Sequence, residues 1–336
     1  MTSPPPSKSS VPVVILGTGR YNPAYVLTNA ELERRVDTSD DWITTRTGIK
    51  ERRIAAAGEH NSDLATKAAA AAMEQAKVKA SEVDLIICGT VTGDMPFPAT
   101  SCLVQENLGA HHATAFDLGA ACTGFIYGLE IGKQLLQGGG YKTAVVIGSE
   151  RISSVVDWTD RNTCVLFGDG AGAAVLRQRE GRGGGILVTD TGSDGRFAHI
   201  LNQPGGGTRT PITAENVHDR LATLKMSGKE VFRQAVGTMS TSCHKAMKRL
   251  GITIDDITLV IPHQANIRII EAVGEKLKAP PEKVFKNVDR YGNSGAATVP
   301  MALDEAHREG RFKRGDKILL VAFGAGLTWG CTIIEW

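Results

Sequence analysis

One offset organises this 336-residue chain. Ala72-Met73 and Ala246-Met247 each close a helical pattern. Each is followed by a polar step (Ser81–Asp84; Asp255–Thr258) and then an apolar strand pattern (Leu85-Ile86-Ile87; Leu259-Val260-Ile261). The separation is 174 residues (247 minus 73), and it also carries the run Ala144–Ile147 onto Ile318–Val321. One offset at three separated landmarks predicts two copies of one α/β unit, each of about 150 residues, a normal domain size. Both copies alternate helix with apolar strand, so the sheets are expected to be parallel or mixed and covered by helices. The expected division is a tail at 1–10, a first copy over 11–180, a loop or hairpin connection over 181–225 and a second copy over 226–336. No stretch has a linker's composition, so the copies are expected to share an interface.

Glycine-rich stretches punctuate this frame. VPVVILGTG from Val11 is a strand running into a glycine turn, but Asn22 stands where a dinucleotide fingerprint needs its third glycine. GDGAGAA (Gly168–Ala174) closes the first copy, as FGAGLTWG (Phe323–Gly330) closes the second. No lysine follows GDGAGAA, so it is read as a tight turn between strands rather than a phosphate loop. Gly181–Thr213 reads as surface hairpins and loops.

A net charge of +2 and a pI near 8.2 are too mild to point to nucleic acid, though a local basic face for an acidic partner remains compatible with them. The six cysteines (88, 102, 122, 164, 243, 331) form no CxxC and no ligand-like pairing with histidine. Reduced thiols are expected, with no disulfide framework and no metal site. No apolar run reaches membrane-spanning length, and Met1–Ser10 lacks a signal peptide's apolar core. A cytoplasmic protein is expected.

Chemistry concentrates at three turns. DLGAACTGF (Asp117–Phe125) sets Cys122 between a strand-like segment (Ala113–Phe116) and a long helical run. Free N–H groups and the positive end of a helix dipole favour a thiolate there. Taken alone, Cys122 reads first as a small buried hydrophobe. The 174-residue offset places Ala296, in GNSGAATVP, at the matching point of the second copy. IPHQAN (Ile261–Asn266) puts His263 at the carboxyl end of a buried strand, where α/β proteins gather ligands. RYGNSG (Arg290–Gly295) puts Asn293 among glycines. Cysteine, histidine and asparagine on three turns is the set that a thiol nucleophile with assisting donors needs. Papain-like proteases use the same three residue types, but their CGSCW-type signature is absent.

From Val11 to Trp336 the chain resembles the β-ketoacyl-acyl carrier protein synthase III family of the thiolase-like superfamily. The resemblance rests on DLGAACTGF, FGDGAGAAVL (Phe167–Leu176), LKMSGKEVF (Leu224–Phe232), PHQANIRII (Pro262–Ile270), GNSGAATVP and FGAGLTWG. It implies a layered α-β-α-β-α fold whose halves are related by a pseudo-twofold axis. It also implies condensation of an acyl-CoA primer with malonyl-acyl carrier protein, without a cofactor, by a homodimer. Cys122 would carry the acyl group, the backbone N–H groups of Cys122 and Ala325 would hold the oxyanion, and His263 and Asn293 would assist decarboxylation. Trp42, Arg46 and Arg161 match residues around the coenzyme A adenine, and Gly228 and Asn266 match positions along the pantetheine arm. Arg268 matches a carrier-docking arginine, and Lys229, Arg233, Lys276 and Lys278 would extend its basic patch. Phe97, Phe323 and Leu327 match acyl-pocket positions, with Phe97 crossing from a partner and its bulk implying a short primer such as acetyl. Within the superfamily, a starter-unit synthase of a polyketide or other secondary pathway and a catalytically silent paralogue remain as alternatives; the intact triad argues against the second.

Overall fold

Residues 11–181 and 183–336 are described by the computed structural model; the tail call at 1–10 lies outside them. The first half contains β1 (Val13–Tyr21), β2 (Tyr25–Thr28), α1 (Asn29–Glu33), α2 (Asp40–Thr47), β3 (Glu51–Ile54) and α3 (Asn61–Ala76). It continues with β4 (Leu85–Gly89), α4 (Thr100–Leu108), β5 (Thr114–Leu118), α5 (Gly124–Gln137), β6 (Thr143–Arg151) and β7 (Asp169–Gln178). The second half contains β8 (Gly185–Ser193), β9 (Leu201–Asn202), β10 (Lys225–Met226), α6 (Gly228–Leu250) and β11 (Leu259–Pro262). It ends with α7 (Ile267–Leu277), α8 (Val288–Tyr291), α9 (Thr298–Arg308), β12 (Lys317–Gly324) and β13 (Thr328–Glu335).

The two large sheets repeat one topology. The first has the order β1-β7-β6-β4-β5 and the second β8-β13-β12-β11, read from the matching edge. β4 pairs parallel with β6 and β11 parallel with β12, while β7 and β13 run antiparallel to both of their neighbours. The register repeats as well: Leu85 faces Ala144, and Leu259 faces Ile318, the same pair displaced by 174 (259 minus 85; 318 minus 144). Where β5 borders β4, the second sheet has, among the described residues, only the bridge of Val284 to Val260.

Alternation along the strands explains the layers. In β4, Leu85 and Ile87 point to one side and Ile86 and Cys88 to the other; in β12, Ile318 and Leu320 oppose Leu319 and Val321. Ile87 and Leu320 meet Phe125, Leu129, Val299 and Leu303 of α5 and α9, which form a central helical layer between the sheets. α3 and α4 cover the outer face of the first sheet through residues such as Leu64, Ala68 and Val104. α6 and α7 cover the second through Val236, Met239 and Val273. Each large side chain removed from water here contributes about 1.5–3 kcal/mol. With both faces of each sheet covered, the strands read as unbroken apolar runs.

Two local expectations give way. GDGAGAA is not a turn: Asp169–Gln178 is strand β7, buried through its first eight residues. Its glycines answer the central layer, since a Cβ on Gly172 would stand 2.6 Å from the Met301 backbone nitrogen of α9. The 181–213 stretch is not all surface loop either, because Gly185–Ser193 is strand β8, paired along β13. Its apolar ILV core sits inside a glycine frame that masked it.

Candidate active site

Cys122 lies in a single 3-10 turn, Ala121–Thr123, between β5 and α5. Ala121 adopts φ +46°, left-handed backbone that costs an alanine about 1–3 kcal/mol and is held only by its surroundings. Those surroundings come from the other half. The Thr328 hydroxyl lies 3.1 Å from the carbonyl oxygens of both Ala120 and Ala325, and 2.9 Å from the Thr123 hydroxyl. A Cβ on Gly324 would stand 2.7 Å from the Cys122 nitrogen, so glycine is what lets the end of β12 approach the nucleophile turn. Ala325 and Phe323 thereby join Cys122 in the wall of one cavity of about 460 Å³.

The thiol does not rest as a thiolate. It is half-buried with its open side on the cavity, and burial pushes it from 9.0 up to about 12, with the buried Glu150 carboxylate adding to the rise. A helix N-terminus is worth up to about 2 kcal/mol in a partly buried geometry, less than the roughly 4 kcal/mol that a rise from 9.0 to about 12 represents. The expectation of a dipole-stabilised resting thiolate is corrected accordingly.

His263 follows β11 and is 4% exposed. Its N–H donates to the Val321 carbonyl (2.7 Å), and its Nδ1 lies 2.5 Å from the hydroxyl of Thr298, the first residue of α9. Burial lowers its pKa from 6.5 to about 4, so the imidazole is neutral at neutral pH. Gln264 braces the turn, donating to the Pro262 (2.7 Å) and Phe285 (3.1 Å) carbonyls and accepting from Asn287 N–H (2.9 Å). Asn293 bridges to Phe167, and its N–H donates to the Leu166 carbonyl (2.8 Å). Its Oδ1 accepts from Gly295 N–H (3.0 Å), which leaves the NH2 end of the amide as the donor. Cys122, His263 and Asn293 all line the same cavity.

The coenzyme-arm positions also assemble. The guanidinium carbons of Arg46 and Arg161 lie 4.4 and 4.9 Å from the Trp42 ring centroid. Asn266 caps α7 by accepting from Arg268 N–H (2.8 Å) and donates to the Arg46 carbonyl (3.1 Å); Arg268 donates to the Thr45 carbonyl (3.0 Å). Residues more than two hundred positions apart thus form one rim, from which Gly228 and Asn266 lead into the cavity. Arg268, Lys229, Arg233, Lys276 and Lys278 are exposed on α6, on α7 and at the end of α7.

Of the acyl-pocket positions Leu327 falls elsewhere, and Phe97, expected to serve a partner's pocket, stands outside its own chain's cavity. Phe97 is 84% exposed and does not line its own chain's cavity. Leu327 is packed in the core between α6 and the second sheet, its backbone paired with Asp194 (2.8 Å each way), and it does not reach the cavity. Sequence reasoning missed Glu150, Thr92, Gln264, Thr298 and Thr328. An acid closing the buried run TAVVIGSER was the visible signal for Glu150. Among the described residues, no group of three or more His, Cys, Asp or Glu side chains is placed to hold a metal ion, and no helix is long and apolar enough to cross a membrane.

Comparison with known proteins gives the family. Residues 116–195 match the family model of 3-oxoacyl-[acyl-carrier-protein] synthase III, and residues 247–336 match the model of its C-terminal region. The chain is 54% identical over 322 residues to the β-ketoacyl-[acyl-carrier-protein] synthase III of Caldanaerobacter subterraneus subsp. tengcongensis, covering 96% of this chain and 97% of that one. The crystal structure of the 3-oxoacyl-[acyl-carrier-protein] synthase III of Aquifex aeolicus is similar with a TM-score of 0.90 at 47% identity, covering 96% of this chain and 100% of that one. A priming β-ketosynthase from a polyketide biosynthetic pathway is similar with a TM-score of 0.89 at 34% identity, covering 98% of each chain. The fold is thiolase-like, and the chain belongs to the β-ketoacyl-acyl carrier protein synthase III family.

Proposed function

We propose that this protein is an acyltransferase that condenses a short acyl-CoA primer with malonyl-acyl carrier protein, releasing CO2 and giving 3-oxoacyl-acyl carrier protein for fatty acid synthesis. The observation that carries the reading is the meeting of Cys122, His263 and Asn293 in one largely apolar cavity. In the first step the Cys122 sulfur attacks the primer carbonyl, CoA leaves as its thiol, and the acyl group stays on sulfur. The thiol proton must move as the bond forms, because the free thiol holds it to about 12; it ends on the departing CoA sulfur, which leaves as the thiol. Backbone N–H groups of Cys122 and Ala325 are the donors for the oxyanion.

In the second step malonyl thioester loses CO2 and leaves an enolate. A neutral imidazole donates from only one nitrogen. With the Thr298 hydroxyl donating into Nδ1, the proton stays on Nε2, which together with the Asn293 NH2 stabilises the enolate oxygen. The carbanion attacks the acyl carbonyl on Cys122 and the thiolate leaves. The paired Trp42, Arg46 and Arg161 suit an adenine, and exposed Arg268, Lys229 and Arg233 suit an acidic carrier protein. Exposed Phe97 suits a homodimer in which it closes the partner's pocket, and the reaction needs no cofactor beyond the CoA thioester. The cytoplasm is the matching compartment.

The likeness to a priming β-ketosynthase favours one second reading, the same chemistry feeding a polyketide pathway. Intact-mass measurement with a panel of acyl-CoAs, followed by CO2 release from malonyl-carrier protein, tests the proposal. An acyl adduct on Cys122 is expected; no adduct with any primer would overturn it.

A further inference from the structure

A cavity built for an acyl chain contains one acid that the condensation does not use. Glu150 is the penultimate residue of β6, is fully buried, and lines the cavity with Cys122, Val91 and Thr92. Its carboxylate collects donors from the segment that follows β4. The Thr90 hydroxyl (3.1 Å), the Thr92 N–H (3.1 Å) and the Thr92 hydroxyl reach Oε2, and the Val91 N–H lies 3.2 Å from both oxygens. The Thr92 hydroxyl in turn accepts from Arg151 N–H (2.9 Å), which fastens the segment back onto β6. The methylenes of Glu150 abut the turn of Asn293: a Cβ on Gly295 would stand 2.8 Å from Glu150 Cγ.

The cavity walls divide accordingly. Gly228, Phe232 and Asn266 belong to α6 and the start of α7, beside the rim where the coenzyme arm enters. Val91, Thr92 and Ile152 belong to segments that leave the ends of β4 and β6 in the first sheet, as the nucleophile turn leaves β5. We propose that Glu150 is a positioning residue for primer selection: its carboxylate clamps residues 90–92 so that Val91 and Thr92 form a fixed wall beside the acyl group on Cys122. This deepens the proposed function and rests on acyl transfer to Cys122. Burial pushes the Glu150 pKa up to about 7 while the four donors pull it down, so the acid is kept against its solvation preference.

Glu150→Gln preserves shape but puts an NH2 where one oxygen accepted, so whichever way the amide turns, Val91 N–H or the threonine donors face another donor. The readout is the initial rate of acyl adduct formation on Cys122, by intact mass, with acetyl-CoA and with four- and five-carbon acyl-CoAs. The expected result is a rise of about tenfold in the longer-to-acetyl rate ratio, the size of discrimination that one or two methylenes of pocket space provide. Thr92→Val, which removes one donor and leaves the acid, is expected to shift the ratio the same way, and Thr92→Ser to restore it. Ratios within twofold of the unmodified protein in both Glu150→Gln and Thr92→Val would overturn the proposal. So would an equal loss with every primer, which marks a residue needed only for folding. CO2 release by the unmodified protein is measured alongside. Its failure counts against the condensation, whereas the adduct ratio judges Glu150 by itself.

Discussion

Two turns of the molecule are the same turn with different fates. Ala121–Thr123 and Gly295–Ala297 are single 3-10 turns displaced by 174 residues (295 minus 121), each leading into a helix of the central layer. At the first, Cys122 opens onto the cavity; at the second, Ala296 is fully buried, with its carbonyl packed where a Cβ on Gly148 would stand 2.2 Å away. The second turn serves the cavity from its approach instead, through Asn293, and through His263 at the end of the neighbouring strand β11. Duplication supplied the backbone twice. The proposed chemistry divides the copies, with acyl attachment in one half and decarboxylation in the other.

The strongest way to break that comparison is to remove its odd member. Cys122→Ala is expected to abolish acyl adduct formation, a loss of at least about 10⁴-fold, read by intact mass; a surviving adduct would place the nucleophile elsewhere. His263→Ala is expected to leave the adduct while lowering CO2 release by about 10²–10³-fold, the usual loss for one donor to a developing oxyanion. If adduct and CO2 release fall together, the halves are not divided as proposed.

The buried imidazole also has a stability signature. Its folded pKa of about 4 lies below the unfolded value of 6.5, so the unfolded chain binds more protons between these values. This contribution is present in full above pH 6.5 and is lost as pH falls toward 4; the shift corresponds to about 3 kcal/mol. Denaturant titrations across that window should show a shallower loss in His263→Gln than in the unmodified protein, and parallel curves would contradict the shift. The smallest effect is expected from copying the thiol. Ala296→Cys should destabilise by about 1–3 kcal/mol through overpacking and gain no adduct at position 296.

The repeat and the three motif turns were legible in the chain because short spacings carry them, whereas the rim residues Trp42, Arg46 and Arg161 came only from the family resemblance. Leu85–Ile87 and Leu259–Ile261 announce buried strands by composition, and PHQAN and GNSG keep their polar residues within a few positions of a strand or glycine. The strand character of GDGAGAA was hidden, since its glycines answer to α9, about 130 residues away in the chain. Leu327 could not be assigned a side of its turn from sequence.

By itself the sequence determined that there are two α/β copies, which three turns carry the cysteine, histidine and asparagine that meet in the cavity, and which family they belong to. Tertiary structure decided the protonation states and the partnerships: a thiol near 12, an imidazole near 4, and a glutamate held near 7 beside them. The physical reason is desolvation. A side chain's charge depends on what surrounds it in space, and at this site those surroundings come from β6, β11, β12 and α9, segments that only folding brings together.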